Sequence, residues 1–171
     1  MNLIKTLQSD FSKQTVNKIV AHIGNDPARF KTLVDAFLAG HYRTTQRAAW
    51  PLSYCVKAHP ELIKPHLKNI IKNLDKPGIH DAVKRNTVRF LQFIDIPKSM
   101  HGITLDACFP LLENKKEPIA IRVFAMTVLA NLADTYPEIK GELIAVIEDQ
   151  MPYGSAGFIS RGKKILKKLK A

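Results

Sequence analysis

The sequence of 171 residues is poor in the features that mark several classes of protein. It has two cysteines, Cys55 and Cys108, without a C-x-x-C motif, and isolated cysteines in a reduced compartment are most often small buried apolar residues. No stretch approaches the run of about 18 uncharged apolar residues that a membrane-spanning helix needs. The first residues lack the apolar core and cleavage site of a signal peptide, which predicts a cytoplasmic protein.

Motifs for metal binding and catalysis are missing as well. The six histidines are scattered, and no two have the i, i+4 spacing of a helical zinc site. There is no G-x-S-x-G, H-E-x-x-H or dinucleotide-binding glycine motif, and the acidic residues occur singly. We therefore expect no metal site, no cofactor and no catalytic activity.

The composition is that of an ordinary globular protein, with 46% hydrophobic and 24% charged residues, but its charge is strongly positive at +11. Residues 101–150 carry four basic and eight acidic residues, whereas residues 151–171 carry six basic residues and no acidic one. A positive surface attracts nucleic acid, anionic lipid or acidic protein segments. The alternative is that the lysine-rich helix faces only confer solubility.

Apolar residues recur at helical spacing along nearly the whole chain, and no strand pattern competes. Asp26-Pro27 combines an N-cap residue with a proline at the first helical position. Prolines at predicted helix starts then recur at Pro60, Pro97 and Pro137, with separations of 37 and 40 residues. This spacing indicates a structural repeat.

One pattern of five core positions, at offsets 0, 4, 7, 8 and 11, occurs four times with a period near 38 residues. We call these the repeat core sets. They are Thr45, Ala49, Leu52, Ser53 and Val56; Val83, Thr87, Phe90, Leu91 and Ile94; Ile121, Ala125, Val128, Leu129 and Leu132; and Phe158, Gly162, Ile165, Leu166 and Leu169. Two helices in about 38 residues are typical of HEAT and armadillo arrays, in which each helix pair buries its apolar face against its neighbours.

The segment Ile121-Arg122-Val123-Phe124-Ala125 resembles the Val-Arg-x-x-Ala opening of the second helix in HEAT repeats. The resemblance implies an all-α, right-handed α-α superhelix, a HEAT-like solenoid of about four helix pairs with an N-terminal helical cap. We expect one domain over residues 1–171, with the cap at 1–24 and repeats at about 26–58, 59–95, 96–135 and 136–171. The resemblance also implies that the second helices line a concave face.

The second helices carry a polar stripe on the face that the core sets leave free. We expect it to form a partner-binding groove with the following residues: Arg43, Arg47, Trp50, Tyr54, Arg85, Arg89, Gln92 and Arg122. Arginines grip carboxylate or phosphate through paired hydrogen bonds, and aromatic rings stack on bases or side chains. In the alternative interpretation the arginines bond within the solenoid, as Arg85 would with Asp81 four residues earlier.

The last predicted helix is basic and amphipathic. Its cationic residues include Arg161, Lys163, Lys164, Lys167 and Lys168. Such a helix suits an acidic partner, a phosphate backbone or a membrane surface. The alternative is structural, because an end repeat needs a polar outer face and cations near a helix C-terminus interact favourably with its dipole.

From these patterns we predict a non-catalytic binding module or scaffold that binds a protein partner, an acidic or extended segment, in its groove. The alternative is a nucleic-acid-binding protein that uses the same groove and the lysine-rich helix. A third interpretation comes from HEAT-like DNA-alkylation-repair glycosylases, which this chain resembles in being basic and in carrying Trp50, Asp81 and Arg85 as residue types. No motif of that family aligns here, and we expect no glycosylase activity.

Overall fold

A computed structural model describes residues 1–9 and 11–171, and this part of the chain contains ten α-helices and no β-strand. The helices are α1 (Leu3–Gln8), α2 (Lys13–Ile23), α3 (Pro27–Ala39), α4 (Tyr42–Ala58), α5 (Leu67–Asn73), α6 (Asp81–Leu91), α7 (His101–Glu113), α8 (Ile119–Leu132), α9 (Lys140–Gln150) and α10 (Ala156–Lys170). The prediction of an all-α fold built from helix pairs is confirmed, and the right-handed sense of the superhelix stays a prediction. Within the described residues, none of these helices is long and apolar enough to cross a bilayer.

The helices form two compact units, Met1–Ile94 and Asp95–Ala171. The division falls at the predicted junction between the second and third repeats. The first unit contains the predicted cap and two repeats, and the second unit contains the other two. That all of them form a single domain stays a prediction.

Helix α4 is the centre of the first unit, where it contacts α1, α2, α3 and α6. The side chains that it buries are mostly small, which lets neighbouring helices approach closely. They are Thr44, Ala48, Ala49, Pro51, Leu52, Ser53, Cys55 and Val56. In the second unit α8 plays the corresponding part, in contact with α7, α9 and α10.

The repeat core sets form the interior as predicted. All twenty positions are buried except Thr45, Ile94 and Leu166, which are half-buried. Gly162 belongs to the fourth set, and a Cβ atom there would lie 2.7 Å from the sulfur of Met151 and 3.2 Å from Cγ2 of Ile147. The absence of a side chain therefore allows α10 to lie close to α9.

The predicted helix starts are confirmed at Asp26, whose Oδ1 accepts hydrogen bonds from the N–H groups of Ala28 and Arg29 at 2.9 and 3.1 Å. At Pro60 the structure differs, because a 3₁₀ segment, Pro60–His66, precedes α5. Pro65 explains the difference, since it has no N–H group and disfavours the α conformation of the residue before it. Short 3₁₀ turns also follow Pro97 and begin at Pro137.

The one buried histidine among the described residues has a structural role. The Nε2 atom of His101 lies 2.8 Å from the carbonyl oxygen of Ile96, to which it can only donate, and Nδ1 lies 3.2 Å from the hydroxyl of Tyr136. Both ring nitrogens are thus occupied within the second unit, and the ring joins the segments before α7 and after α8.

Both cysteines are buried and unpaired, which confirms their predicted role as small core residues. Burial raises the pKa of the Cys55 thiol and of the Cys108 thiol to about 12. Because the thiolate is the nucleophile, both groups are protected at neutral pH by protonation as well as by packing.

We predict that an aromatic disulfide reagent at pH 8 leaves Cys55 and Cys108 unmodified in the folded protein for many minutes. With a pKa of about 12, roughly one thiol in ten thousand is ionised at that pH. In about 6 M guanidinium chloride both thiols should react at once. Release of one equivalent of chromophore from the folded protein within seconds would contradict the prediction.

Candidate functional site

Helices α4 and α6 enclose an open cleft of about 550 Å³, to which Phe11 contributes from the segment after α1. The residues that line it are Phe11, Arg43, Gln46, Arg47, Trp50, Ala82, Arg85 and Asn86. We call it the arginine cleft, because three of the described side chains that line it are guanidinium groups and none of these described side chains is a carboxylate. The structure thus brings together four residues of the predicted groove.

The repeat pattern explains why the arginines point away from the core. Arg47 and Arg85 each follow the first position of their repeat core set by two residues, so the two side chains occupy equivalent places on α4 and α6. On α6 the core positions Val83 and Thr87 are buried, and Arg85 and Arg89 are exposed on another face.

Part of the hydrogen-bonding capacity of Arg47 is used within the protein. Its Nη1 donates to the carbonyl oxygens of Leu7 and Ser9 at 3.0 and 2.5 Å, and its guanidinium lies 5.6 Å from the centre of the Phe11 ring. The carbonyl groups at the end of a helix lack intrahelical partners. Arg47 satisfies two of them at the end of α1 and so fastens the N-terminal segment to α4.

Three aromatic rings follow one another beside the arginines, and we call them the aromatic row. The Phe11 and Trp50 ring centres are 5.8 Å apart, those of Trp50 and Tyr54 are 6.1 Å apart, and both pairs are edge to face. The Arg89 guanidinium lies 5.9 Å from the Tyr54 ring centre. Such contacts favour fixed ring orientations, so the row is formed before any ligand binds.

A second, smaller cavity of about 160 Å³ lies between the C-terminal ends of α4 and α6. We call it the side pocket, and its lining residues are Ser53, Tyr54, Val56, Lys57, Pro60, Arg89, Phe90, Phe93 and Ile94. It accounts for two more predicted residues, Tyr54 and Arg89. The predicted residue Gln92 lines neither cavity, and its amide Nε2 lies 3.0 Å from the carbonyl oxygen of Arg89, to which it donates.

Arg43, Arg85 and Arg89 are exposed, and none of them forms an ion pair with a described carboxylate. The alternative interpretation, in which Arg85 pairs with Asp81 along α6, is therefore not what the structure shows.

The expectation that Arg122 extends the groove is wrong. Arg122 is 8% exposed, donates from Nη2 to Oε1 of Gln150, and lies 4.5 Å from the Phe158 ring centre. Burial lowers the pKa of its guanidinium, and Nε has no hydrogen-bond partner. Arg122 follows the first position of its core set by one residue instead of two, and one residue rotates a helical side chain by about 100°, here into the interior of the second unit.

Ion pairs neutralise part of the positive charge of α10, the basic C-terminal helix. Lys168 and Lys170 form ion pairs with Asp134 and Glu148 at 2.7 and 2.5 Å. Arg161 donates to the hydroxyl of Thr127 at 2.5 Å, which favours the structural interpretation for this arginine. The predicted patch residues that stay exposed without an ion pair to a described carboxylate are Lys163, Lys164 and Lys167.

The residues of the glycosylase interpretation do not converge. Trp50 and Arg85 line the arginine cleft, whereas Asp81 is exposed in the first turn of α6 and does not line it. Across the residues that the structure describes, no cluster of histidine, cysteine or acidic side chains has the arrangement of a metal site.

The pairing of second helices, α4 with α6 and α8 with α10, defines an α-helical repeat protein. The family model of the HEAT repeat domain matches residues 3–169, and the chain belongs to this family. HEAT repeats form binding or scaffold modules and are generally non-catalytic. No curated protein and no solved structure matches the chain.

We predict that Arg122→Ala lowers the free energy of unfolding by about 2 kcal/mol, because it removes a buried charge-assisted hydrogen bond and takes this donor away from Oε1 of Gln150. Arg85→Ala, the matched exposed control, should change it by less than about 0.5 kcal/mol. Urea unfolding followed by circular dichroism measures both. Equal losses in the two variants would show that the assignment of Arg122 to the interior is wrong.

Proposed function

We propose that this protein is a non-catalytic binding module that holds an acidic, extended segment of a partner protein in the arginine cleft. The observation that supports this proposal is that two guanidinium groups of the cleft, Arg43 and Arg85, are exposed and have no described carboxylate paired to them, as is also true of Arg89 in the side pocket. Membership of the HEAT repeat family also supports a protein partner, since HEAT repeats typically mediate protein interactions.

The chemistry of the cleft suits a peptide carboxylate. A guanidinium group offers two parallel N–H donors that match the two oxygens of a carboxylate, which favours arginine over lysine at such sites. Gln46 lines the same cleft and supplies an amide that can bond to a peptide backbone. The helices fix the backbone positions of these residues before binding, so less backbone conformational entropy is lost when the ligand arrives.

Nucleic acid is the second candidate, and the aromatic row is the observation that favours it. Bases stack on aromatic rings while arginines contact the phosphates, and the three rings of the row are half-buried. The net charge of +11 and the exposed lysines of α10 would add sequence-independent attraction. This candidate predicts a much steeper salt dependence than the first one.

We predict that a fluorescein-labelled peptide of eight alternating acidic and serine residues binds the protein, and that Arg85→Glu weakens it about tenfold to a hundredfold. Loss of one charge-assisted hydrogen bond accounts for a change of this size. Lys72→Glu on α5 is the matched control, because Lys72 is exposed, lines neither cavity and gives the same change in net charge. Fluorescence anisotropy measures the affinity.

The same titration, repeated with labelled single-stranded and duplex oligonucleotides between about 50 and 200 mM salt, separates the two candidates. Tight oligonucleotide binding, with a logarithmic salt slope of about −0.9 per neutralised phosphate on duplex DNA, would replace the peptide proposal by the nucleic-acid one. Equal weakening by Arg85→Glu and Lys72→Glu would show that only net charge attracts the peptide and would contradict the assignment of the cleft.

A further inference from the structure

The side pocket differs chemically from the arginine cleft. Its walls include the apolar side chains of Val56, Phe90, Phe93 and Ile94, and its cations are Lys57 and Arg89. Phe93 is 72% exposed, although a large apolar side chain gains free energy when it is removed from water. An apolar pocket with a cationic rim fits an apolar group that has negative charges next to it.

The size of the side pocket fits one side chain. Its volume is about 160 Å³. A protein cavity of about 150 Å³ lined by aliphatic and aromatic residues accommodates a benzene molecule. A leucine, isoleucine or methionine side chain therefore fits, whereas a folded segment or a whole nucleotide does not.

The spacing of the cations along α6 relates the side pocket to the arginine cleft. Arg85 lines the cleft and Arg89 lines the side pocket, and the two lie one helical turn apart, about 6 Å along the axis. An extended peptide advances about 3.3 Å per residue, so this distance corresponds to two residues. Residues two apart in an extended chain face the same side, and both side chains would therefore face the protein.

We infer that the side pocket binds one aliphatic side chain of the same acidic segment that occupies the arginine cleft. The recognised motif is an acidic residue and an aliphatic residue separated by one position, with a further acidic residue beyond the first to reach Arg43. This inference rests on the proposed function, which it deepens by adding a determinant of specificity that is not electrostatic.

The test compares two labelled peptides that differ at one position. Both contain acidic residues at alternate positions separated by serines, and the position after the last spacer is leucine in one peptide and serine in the other. Each peptide is also made in reverse order, because either chain direction satisfies the spacing. The affinities of the intact protein, of Phe93→Ser and of Ile119→Ser are measured by fluorescence anisotropy at about 150 mM salt.

We expect the leucine peptide, in one of its two directions, to bind the intact protein about tenfold to a hundredfold more tightly than the serine peptide, as burial of one leucine side chain implies. Phe93→Ser should remove most of this preference, because it weakens binding of the leucine peptide far more than binding of the serine peptide. Ile119→Ser, which alters an exposed apolar residue of the second unit that lines neither cavity, should retain the preference.

Each other outcome has a distinct meaning. Equal affinities for the leucine and serine peptides would overturn the inference about the side pocket while the proposed function stands. A preference for leucine that survives in Phe93→Ser would also overturn it. If neither peptide binds the intact protein at about 100 μM, the proposed function fails together with the inference.

Discussion

The packing of α4 against α6 is the contact on which the rest of the first unit depends. One face of each helix enters the core, where small residues such as Ala48 and Ala49 allow close approach. The opposite edges of the same two helices supply both cavities. Buried and exposed positions alternate with the helical period. The repeat therefore constrains the residues at the buried positions and leaves those at the exposed positions free to contact a ligand.

The fold was predictable from the sequence because core packing is a periodic property. The repeat core sets required only that apolar residues return at fixed offsets, and none of the twenty positions proved exposed. Local backbone conformation was harder to predict from the sequence. The 3₁₀ segment at Pro60–His66 depends on Pro65, and the spacing of the apolar residues gives no indication of its effect. The pattern places a repeat boundary where the chain divides into two compact units, but it does not distinguish this boundary from the other repeat boundaries.

The candidate site was predictable only where its residues shared the register of the core. Arg47 and Arg85 kept the same offset and came to the same cleft, whereas Arg122, displaced by one residue, entered the interior. Phe11, and the carbonyl groups that accept hydrogen bonds from Arg47, lie about forty positions before Arg47 in the sequence. No local pattern reports such contacts, because they depend on how α1 and the segment after it lie against α4.

Which cations have carboxylate partners bears on the proposed function more than the net charge does. On α10, Lys168 and Lys170 have carboxylate partners, whereas Arg43, Arg85 and Arg89 have none among the described residues, although Asp81 lies one turn before Arg85. Exposed ion pairs contribute about 0–1 kcal/mol, so leaving these arginines unpaired costs the fold little. A ligand carboxylate bound as proposed would exclude water from the cleft and meet Arg43 and Arg85 at lower effective dielectric, where the attraction is stronger. Leaving these arginines unpaired therefore contributes more free energy to the proposed binding than pairing them within the protein would contribute to stability.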